Sequence, residues 1–288
     1  MIIDGKQIAQ ELKEQMREEV AALSLRYGRR PCLNVILVGE DPASLSYVRN
    51  KIKATEFCGL DGELIQLPVT TSEEELLRII RECNENDAVD GILVQLPLPA
   101  HIDVQRVIET IAPEKDVDGF HPSNVAKLWL NRPGIVPCTP LGIMALLDHC
   151  GTVFEGRRAV VVGRSNIVGK PMAKLLLNRN CTVTIAHSHT ADLAAVCREA
   201  DILVVAAGHS HLVNAPMVKP GATVIDVGIS RNDEGKLVGD VDFESVAPVA
   251  GAITPMPGGV GPMTITMLIR NTIACYKDRN HADSTTHL

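Results

Sequence analysis

Apolar runs of strand length alternate along this chain with segments whose apolar residues recur at helical spacing. LNVILVG (33–39), ELIQLPV (63–69) and GILVQLPLP (91–99) read as strands, with helices over 42–58 and 72–85 between them. A second series follows: RAVVVG (158–163), CTVTIA (181–186), DILVVAA (201–207) and ATVIDVG (222–228). Alternation of this kind predicts parallel α/β sheets. The Pro-containing connection NRPGIVPCTP (131–140) separates the two series and marks a domain boundary. GPMTITMLIRNTIACYKDRN (261–280) reads as a long helix with no second-series strand after it, so it is expected to pack back on the first domain. The expected division is 1–139 plus 269–288 for one domain and 140–268 for the other. The polar end HADSTTHL (281–288) is expected to fray.

Composition fits that frame. The chain has 288 residues, 45% hydrophobic, with only 3% aromatic, so its core is built from Val, Ile, Leu and Ala, as in buried parallel strands under helices. A net charge of −7 without a Lys/Arg block argues against nucleic acid and anionic membrane as partners. No apolar run approaches the roughly 18 residues that span a bilayer. The opening MIIDGKQIAQELKEQ turns charged at once and has no signal-peptide core. Of eight cysteines no pair is CxxC-spaced, which predicts reduced core cysteines in a cytosolic protein and no zinc site.

RAVVVGRSNIVGKP (158–171) is a strand, a glycine turn and a helix start. Its glycines fall as Gly163-x-Ser165-x-x-x-Gly169, a departure from G-x-G-x-x-G. Gly163 suits the tight turn, Ser165 is small enough for backbone to approach a phosphate, and Gly169 allows close packing of helix on sheet. A plain βα turn is the bland alternative. The second domain is thus expected to be Rossmann-like and to bind a dinucleotide. The following strand ends His187-Ser188-His189-Thr190, without the acid that holds an NAD ribose, and Arg164 sits in the turn. Both features favour a 2′-phosphate, hence NADP, although Arg164 also reads as a surface charge.

SYVRNK (46–51) contains Tyr47-x-x-x-Lys51, the spacing of the acid/base dyad in short-chain dehydrogenases. There the glycine motif precedes the dyad on the same domain. Here the dyad comes first and in the other domain, so that reading fails on order. Asp41-Pro42 is a good N-cap and N1 pair, Cys58-Gly59 a stop, and Leu45, Val48 and Ile52 an apolar stripe. Tyr47 and Lys51 share a face beside the stripe. On spacing alone, Lys51 reads as a solvated helix-surface residue. Gln95 stands inside an apolar strand and needs partners, as a structural amide or as a site residue near a strand's C-terminal end. PEKDVDGFHPSN (113–124) places Asp116 and Asp118 before a glycine turn, where capping is the bland role. PMPGGVGPMT (255–264) reads as a rigid loop with open backbone, suited to a ligand or to structure alone.

YxxxK, VQLPLP, PEKDVDGFHP, GRSNIVGKP and PGGVGPMT, in that order, resemble the bifunctional methylenetetrahydrofolate dehydrogenase/cyclohydrolase family from about residue 1 to about residue 280. The resemblance implies oxidation of 5,10-methylenetetrahydrofolate with NADP, then hydrolysis of the methenyl product to 10-formyltetrahydrofolate, in one shared cleft. Lys51 matches the catalytic lysine, Tyr47 the tyrosine and Gln95 the glutamine that contacts the lysine. Asp118 matches the residue that holds the pterin, and Pro257, Gly258, Gly259 and Gly261 would line the folate pocket. Gly163, Arg164 and Ser165 match the cofactor turn, and Ser188 and Ile229 fall at further cofactor positions. The resemblance also implies tetrahydrofolate one-carbon derivatives as ligands, a homodimer, and two α/β domains with a C-terminal helix returning to the first.

The chemistry suits the residue types. A carboxylate accepts paired N–H donors from a pterin edge, and a tyrosine ring stacks on a flat ligand. A Lys51 desolvated beside a cationic substrate can shed its proton and act as a general base, with Gln95 orienting its amine. Two positions depart from the family pattern. Ala126 stands where Gly is frequent, and His189 where Lys or Arg often lies near the 2′-phosphate, which makes NADP preference sensitive to pH. A monofunctional dehydrogenase and a non-catalytic binder of folate and dinucleotide are the alternatives. The presence of Tyr47, Lys51 and Gln95 argues against the first, and intact Lys51 and Asp118 against the second.

Overall fold

The computed structural model describes residues 1–232 and 234–285. It forms two compact units. A first unit comprises Glu11–Cys138 and the chain from Ile265 onward; a second comprises Met1–Gln10 and Thr139–Thr264. The opening ten residues, expected with the first series, group with the second because Ile2 bridges Ile253 and the Ile3 N–H donates to the Ile253 carbonyl at 2.8 Å. A strand bridge of two residues is too short to show in a hydropathy pattern.

The chain begins with α1 (Gly5–Tyr27). It continues through β1 (Leu33–Val38), α2 (Pro42–Phe57), β2 (Leu64–Leu67), α3 (Glu73–Glu85), β3 (Gly91–Val94), α4 (Val104–Thr110) and α5 (Pro122–Trp129). The three strands form a parallel sheet in the order β2-β1-β3. All six residues of central β1 are buried, which is why it reads as an unbroken apolar run. Each expected strand ends a few residues early. Gln95 therefore lies just beyond β3, at the C-terminal edge of the sheet. The chain passes from β1 to one neighbour and back to the other, so this edge is a topological switch point, where α/β sheets hold ligands. Residues 115 and 116 run along the open side of β3: Asp116 bridges Ile92, and the Ile92 N–H donates to the Lys115 carbonyl at 2.8 Å.

After α6 (Cys138–His149) come β4 (Arg158–Val162), α7 (Gly169–Asn178), β5 (Thr182–Ala186), α8 (Leu193–Arg198), β6 (Ile202–Val205) and β7 (Thr223–Asp226). A small antiparallel hairpin β8 (Ser230–Arg231) and β9 (Leu237–Val238), α9 (Phe243–Val246) and β10 (Ala252–Ile253) complete the second unit. Five of these strands form a parallel sheet in the order β10-β7-β6-β4-β5, with its switch point beside β4. The core is aliphatic, built on Val160, Val162, Leu203, Val205, Val224 and Ile253.

The last helix, α10 (Val260–Thr285), runs past the expected end, and positions 286–288 of the tail expected to fray lie outside the described residues. Within the first unit its Ile269 and Ile273 pack with Met16, Val20, Ala54, Cys58 and Leu60, and the Tyr276 hydroxyl donates to the Arg29 carbonyl at 2.7 Å. The fold is the expected α/β arrangement, with the C-terminal helix returned to the first strand series. The eight cysteines are all free.

Candidate active site

Asp41 caps α2 by accepting from the Ser44 N–H at 2.8 Å, with Pro42 at the first helical position. The Cys58 N–H returns to the Ala54 carbonyl, and Gly59 takes φ +77° to leave the helix. This fixes the rotation of α2, and it corrects the stripe expected on hydropathy. Leu45 and Ile52 are only half-buried; the buried line is Ser44, Val48, Lys51, Thr55 and Cys58. Lys51 is 9% exposed, not a solvated surface residue. Its spacing of four, three, four and three along that line is a helical signal, hidden because three of the five residues are polar.

The Lys51 Nζ donates to Gln95 Oε1 at 2.9 Å. The Gln95 amide nitrogen donates to the Leu96 carbonyl at 2.5 Å, which leaves Oε1 as the end turned to the lysine. The Gln95 backbone N–H extends the sheet by donating to the Ile36 carbonyl at 2.8 Å. Tyr47, one turn before Lys51, is half-buried, and desolvation raises its phenol above the ordinary range.

The two aspartates of the 113–119 loop have different situations. Asp116 is buried, and its carboxylate accepts from the Gly119 N–H at 3.0 Å, the His121 N–H at 2.8 Å and Asn124 Nδ2 at 2.9 Å. That is a turn-building role. Asp118 keeps part of its surface open while protein encloses its carboxyl. Burial pushes that carboxyl up to about 6; the Lys51 ammonium pulls it down, Asp116 pushes it up, and the Cys138 thiol pulls it down. Lys51, Gln95 and Asp118 therefore share one neighbourhood at the C-terminal edge of the first sheet. Lys115, missed in the sequence, anchors this loop: its buried Nζ donates to the carbonyls of Cys83 at 3.0 Å, Asn84 at 2.7 Å and Asn86 at 2.8 Å. Desolvation lowers its pKa.

In the second unit a cavity of about 320 Å³ opens at the switch point. Gly163, Arg164 and Ser165 after β4, His187 and Ser188 after β5, and Ala206 and Ala207 after β6 contribute to its walls. Gly163 has φ +129°, and a Cβ there would lie 2.2 Å from the Ala206 carbonyl oxygen. A Cβ on Gly169 would lie 2.2 Å from the Gly163 oxygen. Both glycines are demanded by contact, and the start of α7 is drawn onto the turn. Ser165 does more than stay small: its Oγ accepts from the Val168 N–H at 3.2 Å and the Gly169 N–H at 3.3 Å. The turn, its helix N-terminus and a wall without a carboxylate suit the phosphates of a dinucleotide. Ile229, 45% exposed, is not among the residues lining this cavity. His209 and Leu212 also line it and carried no recognisable signal.

The 255–261 loop also belongs to the second unit. Gly258 takes φ +108°, Gly258 and Gly259 are buried, Pro257 is exposed and Gly261 half-buried. A Cβ on Gly259 would lie 2.7 Å from the Pro255 carbonyl oxygen, and one on Gly5 would lie 1.9 Å from the Gly259 oxygen. The glycine density thus has a packing cause. Among the described residues, no group of three or more His, Cys, Asp or Glu side chains is placed to hold a metal ion, and no helix is long and apolar enough to cross a membrane.

Comparison with known proteins identifies the family. Residues 3–118 match the catalytic domain of the tetrahydrofolate dehydrogenase/cyclohydrolase family, and residues 137–280 match that family's NAD(P)-binding domain. The bifunctional protein FolD of Listeria innocua serovar 6a is 57% identical over 276 residues, covering 96% of this chain and 97% of the relative. Among solved structures, the bifunctional enzyme FolD of Campylobacter jejuni superposes with a TM-score of 0.95 at 49% identity, covering 97% of this chain and 99% of that one. The Trypanosoma brucei dehydrogenase-cyclohydrolase, solved with NADP and an inhibitor, superposes with a TM-score of 0.93 at 43% identity, covering 97% and 98%. With both halves of its length matched and near-complete coverage on each side, this chain belongs to the tetrahydrofolate dehydrogenase/cyclohydrolase family.

Proposed function

We propose that this chain oxidises 5,10-methylenetetrahydrofolate with NADP and hydrolyses the methenyl product to 10-formyltetrahydrofolate. Lys51, Gln95, Tyr47 and Asp118 carry the folate chemistry. The observation behind this assignment is the part-buried Lys51–Gln95 hydrogen bond at a strand's C-terminal edge, beside a carboxyl that Lys51 influences. Asp118, largely ionised above about pH 6, accepts the adjacent N–H donors of the pterin edge. Tyr47 offers its ring for stacking. In the hydrolysis a water attacks the methenyl carbon. Lys51, as the free amine, takes a proton from that water while Gln95 holds it in place. The carbon's bond to one ring nitrogen then breaks as the new hydroxyl becomes the formyl C=O, the nitrogen takes the proton back from Lys51, and the hydroxyl proton leaves to solvent. Pro257, Gly258, Gly259 and Gly261 supply backbone to the folate.

Gly163, Arg164, Ser165 and Ser188 hold the dinucleotide, and Ile229, outside the cavity lining, meets the part of it that extends beyond the cavity. When bound, NADP supplies the hydride acceptor for the oxidation. The protein's contribution to that step is positioning. The missing acid after β5 and the presence of Arg164 in the cavity wall support NADP over NAD.

A homodimer in the cytoplasm completes the proposal. Among the described residues β5 pairs only with β4, and Thr182, Thr184 and Ile185 on it are exposed, so this sheet edge is open to a second copy.

An absorbance assay with 5,10-methylenetetrahydrofolate, run in parallel with NADP and NAD, tests the activity. NADPH forming without lasting methenyl product is expected. Lasting methenyl accumulation would leave a dehydrogenase alone, and no reduction by folded protein would leave a binding protein.

A further inference from the structure

Three consecutive backbone amides follow β6 into the wall of the dinucleotide cavity, and all three donate to one side chain. The Ala207 N–H reaches Asp240 Oδ2 at 2.6 Å, the Gly208 N–H reaches the same oxygen at 2.8 Å, and the His209 N–H reaches Oδ1 at 2.8 Å. Successive amides converging on an anion form a nest. Here a fully buried carboxylate more than thirty positions later in the chain fills it.

Asp240 is itself held. Its N–H donates to Asp226 Oδ1 at 2.9 Å, and the Val241 N–H donates to Asp226 Oδ2 at 3.1 Å. Asp226 ends β7, the sheet neighbour of β6. The Val213 N–H donates to the Asp240 carbonyl at 3.0 Å. There is no slack in the arrangement: a Cβ on Gly239 would lie 1.7 Å from Asp226 Oδ2, and one on Gly228 would lie 2.1 Å from Asp240 Oδ1. The two carboxylates thus tie the end of β7 to the loop that leaves β6. Ala206, Ala207, His209 and Leu212 of that loop line the cavity, whereas Asp240 does not.

We propose that Asp240 is a positioning residue for dinucleotide binding, whose carboxylate holds the Ala207–His209 backbone as a fixed wall of the cavity. The inference rests on the cavity being the NADP site. Asp240 touches no reacting atom. Its removal weakens the grip on the dinucleotide and leaves the hydrolysis of methenyltetrahydrofolate, which consumes none, in place.

The test uses the full chain and Asp240→Asn, which preserves shape but turns one of the two acceptor oxygens into a donor. Hydrogen exchange in the ligand-free protein is expected to speed up at the amides of Ala207, Gly208 and His209. Calorimetric titration with NADP is expected to show Kd raised about ten-fold or more. Methenyl hydrolysis assayed without dinucleotide is expected to stay within about two-fold of the parent, which a general loss of structure would not allow. Asp226→Asn, which keeps the Asp240 carboxylate but loosens its anchor, is expected to raise Kd by a smaller factor, and it serves if Asp240→Asn folds poorly. Asp242→Ala removes a neighbouring helix cap from α9 and is the control. Fast exchange at 207–209 with an unchanged Kd overturns the proposal. So does an equal loss of binding in Asp242→Ala. A parent protein that binds no NADP overturns the cavity assignment itself, and this inference with it.

Discussion

The Lys51 amine donates to the Gln95 side-chain oxygen at 2.9 Å, and the Gln95 amide nitrogen is already engaged by the Leu96 carbonyl. That second bond fixes the amide the right way round: the lysine faces an acceptor, never a competing donor. A buried lysine with one neutral acceptor is held in position without being neutralised by an ion pair.

Lys51→Met keeps much of the side chain's length and removes the amine. Methenyl hydrolysis is expected to fall by about 10²- to 10⁴-fold. The oxidation step needs no base and is expected to suffer much less, so methenyl product should accumulate in the coupled absorbance assay. Hydrolysis at the parent rate would remove Lys51 from its assigned role.

Asp118 carries a cost for its position. Its carboxyl rises to about 6 through burial, whereas in an unfolded chain it titrates near 4. The native state therefore binds the extra proton between those values. The cost of the charge is fully present above about pH 6 and vanishes as pH falls toward 4. Asp118→Asn is expected to stabilise the protein at pH 7.5 by about 1–2 kcal/mol, allowing for the solvent opening of the group. The gain should shrink as calorimetry is repeated toward pH 4.5. Folate affinity, measured by titration at pH 7.5, is expected to drop at least about ten-fold with the loss of a charged acceptor. A variant that is less stable at pH 7.5 would contradict this account.

Gly169→Ala sets two effects against each other. Alanine favours a helix over glycine by about 1 kcal/mol, but its Cβ would stand 2.2 Å from the Gly163 oxygen and 2.6 Å from the Gly163 carbonyl carbon. Backbone offers no flexible end to move aside, so the clash wins. The expected result is a thermal transition of the second unit lowered by several degrees, weaker NADP binding, and methenyl hydrolysis largely retained. A variant as stable as the parent would show that the turn has room to shift.

Lys115→Met takes one donor from three carbonyls at the end of α3, of which that of Cys83 is buried and that of Asn86 still accepts from the Val89 N–H. A destabilisation of about 2–4 kcal/mol is expected in urea unfolding. At low urea and low temperature kcat should stay near the parent value, because the amine reaches no ligand. A large fall in kcat with an unchanged midpoint would instead place Lys115 in the chemistry.

The seven longer strands and the helices over 42–57, 73–85 and 260–285 are legible as runs and periods. The two-residue strands β8, β9 and β10 are too short to carry a period and exist through tertiary pairing. In the cavity wall, Gly163, Arg164 and Ser165 are legible because the glycine turn is a local motif, whereas Ser188 enters only through the family resemblance. The burial of Lys51 is not legible from spacing alone, because a polar residue inside a helix's buried line looks like a break in it. Asp240 was invisible: its partners, Ala207 to His209, engage through backbone amides, which leave no trace in residue type.

Each compact unit is assembled from two separated stretches of chain. Met1–Gln10 joins Thr139–Thr264, and Glu11–Cys138 joins the chain from Ile265 onward. Synthesis delivers these stretches in order, at about 5–20 residues per second. Met16 and Val20 can meet Ala54, Cys58 and Leu60 early, but Ile269 and Ile273, which complete their cluster, follow more than two hundred residues later. The nascent first series must therefore wait, this cluster covered only in part, for the final helix to be made. A stop codon just before that helix would strand an otherwise complete sheet without its lid.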